Sequence, residues 1–148
     1  MKTLRTMYSV LACLLLTWAH NASAQYSQMF GPFELHYTVV NTTFLSPEVA
    51  SAYKIRRGKT RAILNLAVRE HGEGGTTART MLLKGETRDL MQRQQILEFQ
   101  EIREGESIYY IAEFEFINED WHHFIIDFRP EGAEQTYNFE FKHQLYSN

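Results

Sequence analysis

The amino-acid sequence predicts an all-β fold, an antiparallel immunoglobulin-like β-sandwich of about seven strands with one short helix. Three observations carry that expectation. Aromatic and branched residues alternate with polar ones at period two over several runs of the chain. Short turn signals separate those runs at intervals of about 8 to 12 residues. The one helix signal, Ser46 followed by Pro47 and Glu48, is brief: a hydroxyl suited to capping, a proline suited to the first helical position and an acid in the first turn.

In chain order, residues 1–24 read as a secretory signal peptide. Lys2 and Arg5 precede an apolar run from Met7 to Trp18, and Ala22-Ser23-Ala24 offers small residues at the −3 and −1 positions of a cleavage site before Gln25. The run is shorter than the ~20 residues needed to cross a bilayer, and no later run is long enough, so no transmembrane segment is expected after cleavage. Cys13 lies within the apolar run, which Leu14, Leu15 and Leu16 continue, so it is poorly placed for lipid attachment. Cleavage leaves residues 25–148 as a single β-sandwich domain without cysteine, so its core has no disulfide to rely on. The formal charge moves from −3 to −5, because the leader holds two cations and no acid. That balance argues against nucleic acid as a partner.

Strands are expected at Phe33–Val40, Arg61–Val68, Ile96–Ile102, Tyr110–Phe116, Phe124–Phe128 and Tyr137–Phe141, with a weaker one at Arg79–Lys84. Tyr110, Ala112, Phe114 and Phe116 fall on one face, and Ile111, Glu113 and Glu115 on the other. Glu104-Gly105-Glu106, Asn118-Glu119-Asp120 and Pro130-Glu131-Gly132 have hairpin lengths, so the C-terminal half reads as a meander of consecutive antiparallel strands. His71-Gly72-Glu73-Gly74-Gly75 reads as a loose turn, and the helix as a crossover between sheets. A small barrel is the main alternative architecture.

Several segments together resemble a family of small secreted bacterial proteins known as a domain of unknown function, DUF4426. They are Phe30-Gly31, Glu34-Leu35-His36-Tyr37, the run from Asn41 to Ala50, Tyr53 with Ile55-Arg56, Lys59 and Arg61, and Arg103-Glu104-Gly105 with Ile108-Tyr109-Tyr110. The resemblance spans essentially the whole exported part and departs chiefly at Trp121-His122-His123. It implies a β-sandwich of the Gram-negative envelope, in the periplasm, and brings no activity, cofactor or catalytic residue with it.

The strongest local charge feature is Lys54, Arg56, Arg57, Lys59 and Arg61, five cations in eight residues of an acidic protein. Guanidinium groups fork onto phosphate or carboxylate, and Gly58 would let backbone amides approach the same ion, so the run is a candidate anion or partner site. The structural alternative is a solvated loop whose charges pair with Glu98, Glu101 and Glu113 or guard a sheet edge. Tyr109 and Trp121 stand off the core pattern and are candidates for an aromatic binding surface.

No catalytic site, metal site or cofactor is expected. His122 and His123 are adjacent in a strand and point to opposite faces; His36 and His143 would meet only if the first and last strands were neighbours. Glu113 and Glu115 share a strand face but fit ordinary surface alternation, and no serine sits in a nucleophile elbow. The leading reading is therefore a periplasmic binding module that contacts an envelope protein or an anionic polymer. The alternatives are an enzyme whose site assembles from residues such as Glu34, His36 and Arg56, and a small-ligand carrier, which would need a cavity of about 300 Å³ or more.

Overall fold

A computed structural model describes residues 26–147, so the expected signal peptide lies outside the described residues. Two antiparallel sheets face each other across one core, which is the sandwich expected from the alternation. The described residues form ten strands rather than about seven. They are β1 (Tyr26–Phe30), β2 (Phe33–Asn41), β3 (Arg61–Gly72), β4 (Gly75–Arg79), β5 (Met81–Arg88), β6 (Gln94–Leu97), β7 (Gln100–Glu104), β8 (Ser107–Glu115), β9 (Asp120–Pro130) and β10 (Tyr137–Leu145). The larger sheet runs β1-β2-β3-β8-β7, with β4 also paired to β3, and the smaller runs β10-β9-β5-β6. β8 and β4 share one side of β3: β8 pairs with Arg61–Leu66 and β4 with Val68–Gly72.

Leu64, Leu66 and Val68 of β3 are fully buried and face Phe124, Ile126 and Phe128 of β9 in one cluster with Leu35, Phe114 and Phe139. Burying a large apolar side chain contributes roughly 1.5–3 kcal/mol, so this double layer of strand residues holds the fold without a disulfide. Gly85 sits inside β5 for a reason of space. A Cβ there would come within 2.8 Å of Ile126 Cδ1 and 3.0 Å of the Phe99 ring, and the bare backbone gives that ring its place.

Four expectations about strands and turns need correction, and a fifth concerns the helix. The Ile96–Ile102 run is two strands, because the chain turns at Glu98-Phe99 from the smaller sheet to the larger. The C-terminal meander is interrupted: β7–β8 and β9–β10 are hairpins, but β8 pairs with β3 and β9 with β5, so the Asn118 turn also changes sheets. Thr80 makes a third such corner inside the expected Arg79–Lys84 strand, while His71 and Gly72 complete β3 ahead of a tight turn. At each corner the chain trades a hairpin partner for a place facing the same core.

The helix, α1 (Pro47–Ala52), does not cross between sheets, since β2 and β3 on either side of it are neighbours in one sheet. Ser46 caps it as expected, its hydroxyl accepting from the Val49 amide at 3.3 Å. Its job is to cover the outer face of the larger sheet: Ala50 and Ile55 pack on Ile63, with Val40, Leu45, Tyr53 and Ile111 around them. No helix among the described residues is long and apolar enough to cross a membrane.

Candidate functional site

The two ends of the sandwich differ in construction. At one end two-residue turns join β1 to β2, β3 to β4 and β7 to β8, residues 131–136 join β9 to β10, and Phe30, Phe128, Tyr137 and Phe139 close the core with ring centroids 4.9 to 6.1 Å from Phe30. At the other end the connections 42–60, 89–93 and 116–119 meet. Between them lies an open groove of about 470 Å³ lined by Thr60, Asp89, Arg93, Gln95, Glu115, Phe116, Ile117, Asn118 and His122. Phe44, Leu90, Met91, Ile117, Trp121 and Tyr146 expose apolar surface around this end.

His122 occupies the last inward position at the start of β9 and is 1% exposed. Its ring packs against Phe114, centroid to centroid 5.4 Å. Nδ1 lies 3.0 Å from the buried Thr87 Oγ1, and Nε2 has no hydrogen-bond partner. Burial holds this imidazole below the usual histidine range, so it stays neutral. Asp89 is also nearly buried. Burial pushes its carboxyl up, but the Arg93 backbone amide at 2.9 Å and Arg93 Nε at 2.5 Å more than offset that, and it remains an anion. Gln95 bridges the sheets: its amide accepts from the Glu115 N–H at 2.9 Å and donates to the Glu115 carbonyl at 2.7 Å, pairing the edge of β8 where β7 has ended.

The basic run borders this groove through Thr60, but its five cations do different things. Arg61 is committed: its guanidinium bonds the Glu115 carboxylate and lies 3.6 Å from Glu113, with 18% of its side chain exposed. Arg56 is largely exposed and only loosely paired, Nε standing 3.9 Å from Glu113, whose carboxylate also accepts the Arg56 amide. Arg57 donates to the Thr43 carbonyl at 3.1 Å. Among the described residues Lys54, Arg57 and Lys59 form no ion pair. Glu101 serves Arg103 and Tyr110 instead, so Glu113 alone of the three expected acids pairs with the run. The expected anion role of the Gly58 amide is also corrected, because that N–H donates to the buried Thr42 Oγ1 at 3.0 Å and thereby pins the loop to the end of β2.

The other sequence candidates are dispersed. Trp121 stands half-exposed at the groove end, whereas Tyr109 lies on the outer face of the larger sheet, lining a depression with His36, Arg69 and Ala78. His36 faces outward and His143 inward on different sheets, so they do not meet; His143 stands directly opposite His122. His123 points away from His122 and bonds Glu140 at 2.9 Å.

Glu34 and His36 do come together, joined by Ser27 and His71. Glu34 accepts from Ser27 Oγ at 2.7 Å, and its other oxygen lies 2.7 Å from His71 Nε2 and 3.6 Å from His36 Nε2. These bonds, Ser27's first, hold the Glu34 carboxyl below its usual range. The serine hydroxyl donates to the carboxylate rather than to an imidazole, and the cluster ties β1, β2 and β3 together. Arg56 lies near Glu113, about 13 Å of strand away from the level of His36. No group of three or more metal-ligating side chains among the described residues is arranged to hold an ion.

A family model described as a domain of unknown function (DUF4426) matches residues 27–148. The chain belongs to the DUF4426 family. A crystal structure of a DUF4426 protein from Pseudomonas aeruginosa PAO1 is 29% identical, covers 83% of this chain and 95% of its own, and superposes with a TM-score of 0.71. FetP of uropathogenic Escherichia coli strain F11, expressed in the periplasm for its crystal structure, has a TM-score of 0.56 at 9% identity, covering 83% of this chain and 94% of FetP. A copper-bound FetP variant gives 0.59 at 9% identity, covering 84% and 97%. At that identity FetP shares the DUF4426 chain's fold alone. No curated protein matches the chain.

Proposed function

We propose that this DUF4426 protein is an exported, non-catalytic binding module of the bacterial periplasm that holds an anionic surface of the envelope, polymer or protein, at the groove end of the sandwich. One observation carries this reading: Lys54, Arg57 and Lys59, exposed cations that form no direct ion pair among the described residues of a net-acidic protein, share one end with exposed Phe44, Leu90 and Met91. Exposed cations beside apolar side chains give steering and contact area together. The buried Thr42 holds the loop in place, so little ordering of the backbone opposes binding. The leader-like residues 1–24 and the family resemblance support export.

The test is salt-dependent retention on immobilised lipopolysaccharide, alongside crosslinked capture from the periplasm, for the unaltered protein and a Lys54→Ala/Arg57→Ala/Lys59→Ala variant. Retention and capture that weaken together in the variant support the proposal, and the arm that responds identifies polymer or protein. Equal behaviour of both proteins in both arms overturns it.

A further inference from the structure

The groove itself carries a separate inference, drawn from its unused hydrogen-bonding capacity. Every carboxylate that lines it is already engaged, Asp89 by Arg93 and Glu115 by Arg61. Gln95 uses both ends of its amide on the Glu115 backbone. Among the described residues the groups left over are mainly donors: the terminal nitrogens of Arg93, the Asn118 amide N–H and His122 Nε2. The Thr60 hydroxyl adds a group that donates or accepts.

The protonation of His122 follows from counting. Thr87 Oγ1 has one hydrogen and, among the described residues, no acceptor other than His122 Nδ1. If Nδ1 carried the ring proton, the buried hydroxyl hydrogen and the Nε2 lone pair would both go unmatched. If the hydroxyl donates to Nδ1, only Nε2–H is unmatched, which is the smaller cost. Buried polar groups are almost always paired, and this 1%-exposed donor, on a residue that lines an open groove, has no acceptor among the described residues.

We propose that the groove is a binding site for a small organic carboxylate, its acid group taken by the Arg93 guanidinium, Asn118 and His122 Nε2–H and its apolar body laid against Phe116 and Ile117. A guanidinium whose Nε is fixed by Asp89 presents its remaining N–H groups in a set direction, which suits a planar acceptor. The charges already present balance, since Arg93 faces Asp89 and Arg61 faces Glu115. A monoanion is therefore easier to admit than a doubly charged phosphate ester. A groove of about 470 Å³ is of the size that takes small ligands. This site is independent of the basic loop proposed above.

The experiment is a titration of the whole exported chain, labelled at histidine nitrogen, with butyrate, with neutral butyramide and with inorganic phosphate, following the His122 Nε2 resonance. Butyrate is expected to move that resonance saturably in the millimolar range, with butyramide and phosphate binding about tenfold more weakly or not at all, the worth of one charge-assisted hydrogen bond. Two variants report on the geometry. Arg93→Lys keeps the charge without the fork, and His122→Phe/Thr87→Val replaces both buried partners by apolar groups of similar shape; each is expected to weaken butyrate about tenfold, read for the second variant from the Asn118 amide. A folded protein whose His122 and Asn118 signals do not respond to butyrate, or which binds butyramide equally well, overturns the proposal. So does butyrate binding unchanged in both variants. Because the basic-loop variant keeps the groove, its loss of polymer retention with butyrate binding intact would separate the two sites.

Discussion

The turn end and the groove end of this sandwich enclose the same core and are built by opposite rules. At the turn end, Gly31, Gly75, Gly105 and Gly132 take the left-handed conformations, with φ between 57° and 116°, where glycine alone is unstrained. At the groove end the left-handed residues are Lys54, Gln92 and Glu119, at φ 58°, 62° and 63°, one in each of the three connections that surround the groove. A side chain in that region costs of order 1–3 kcal/mol, and such residues cluster where a fold sacrifices local comfort for function. The turn end also stacks aromatic rings over the core, whereas the groove end leaves a buried imidazole nitrogen without a partner. One end closes its core with stacked rings and glycine turns; the other combines left-handed side chains with unpaired polar groups.

The sharpest way to break that contrast is to hollow out each end in turn. Phe128→Ala removes a ring that is 1% exposed and touches Phe30 and Tyr137. It is expected to cost about 3–5 kcal/mol in urea unfolding, through lost transfer energy and a cavity that the surrounding strands cannot close. At the groove end, His122→Phe/Thr87→Val removes an unmatched donor together with its hydroxyl partner. It is expected to leave stability unchanged or raise it by about 1 kcal/mol. A large loss there would mean that the groove end is as structural as the other.

The pH dependence sharpens the same point. Burial lowers the affinity of His122 for a proton in the folded state, whereas the unfolded chain takes that proton near pH ~6.5. Acid therefore favours unfolding: the stability is fully present above about pH 6.5 and falls as the pH drops toward the lower, folded value, by at most about 1.4 kcal/mol per pH unit from this one group. His143, shifted downward by burial as well, acts in the same direction. Thermal melts between about pH 7 and pH 5 should show this slope, and the His122→Phe/Thr87→Val variant should flatten it; equal slopes would mean that His122 is not held neutral. The smallest expected effect is at the strained positions. Gln92→Gly and Glu119→Gly are each expected to stabilise by about 0.5–1 kcal/mol, the relief of the left-handed side chain less the entropy of glycine. Destabilisation on urea titration would show that these conformations are not strained.

Much of the architecture is legible in the sequence. Tyr110, Ala112, Phe114 and Phe116 face inward as the alternation requires, and Ser46 caps a helix that begins at Pro47. The candidate site was legible only in part. The basic run and Trp121 do stand at one end, but Tyr109 lies elsewhere and Arg61 is absorbed by Glu113 and Glu115. The sequence does not single out His122, since nothing local distinguishes an inward histidine with a bonded Nδ1 from one whose Nε2 lacks an acceptor.

By itself the sequence determined which strand residues alternate inward and where the helix starts, because these depend on the period of side chains along a strand and on local caps, and its ordered segments determined the family. Only the tertiary structure decided which strand lies beside which. At the corners after Leu97 and Phe116 the chain changes sheets without changing parity: Leu97 and Phe99 both turn toward the core, as do Phe116 and His122. Both inner faces look onto one core, so a passage between sheets leaves the alternation intact and writes no mark in it. The groove exists because one passage between sheets, 116–119, meets two connections within sheets, 42–60 and 89–93, at one end, and so residues as far apart in sequence as Thr60, Asp89 and His122 line it together.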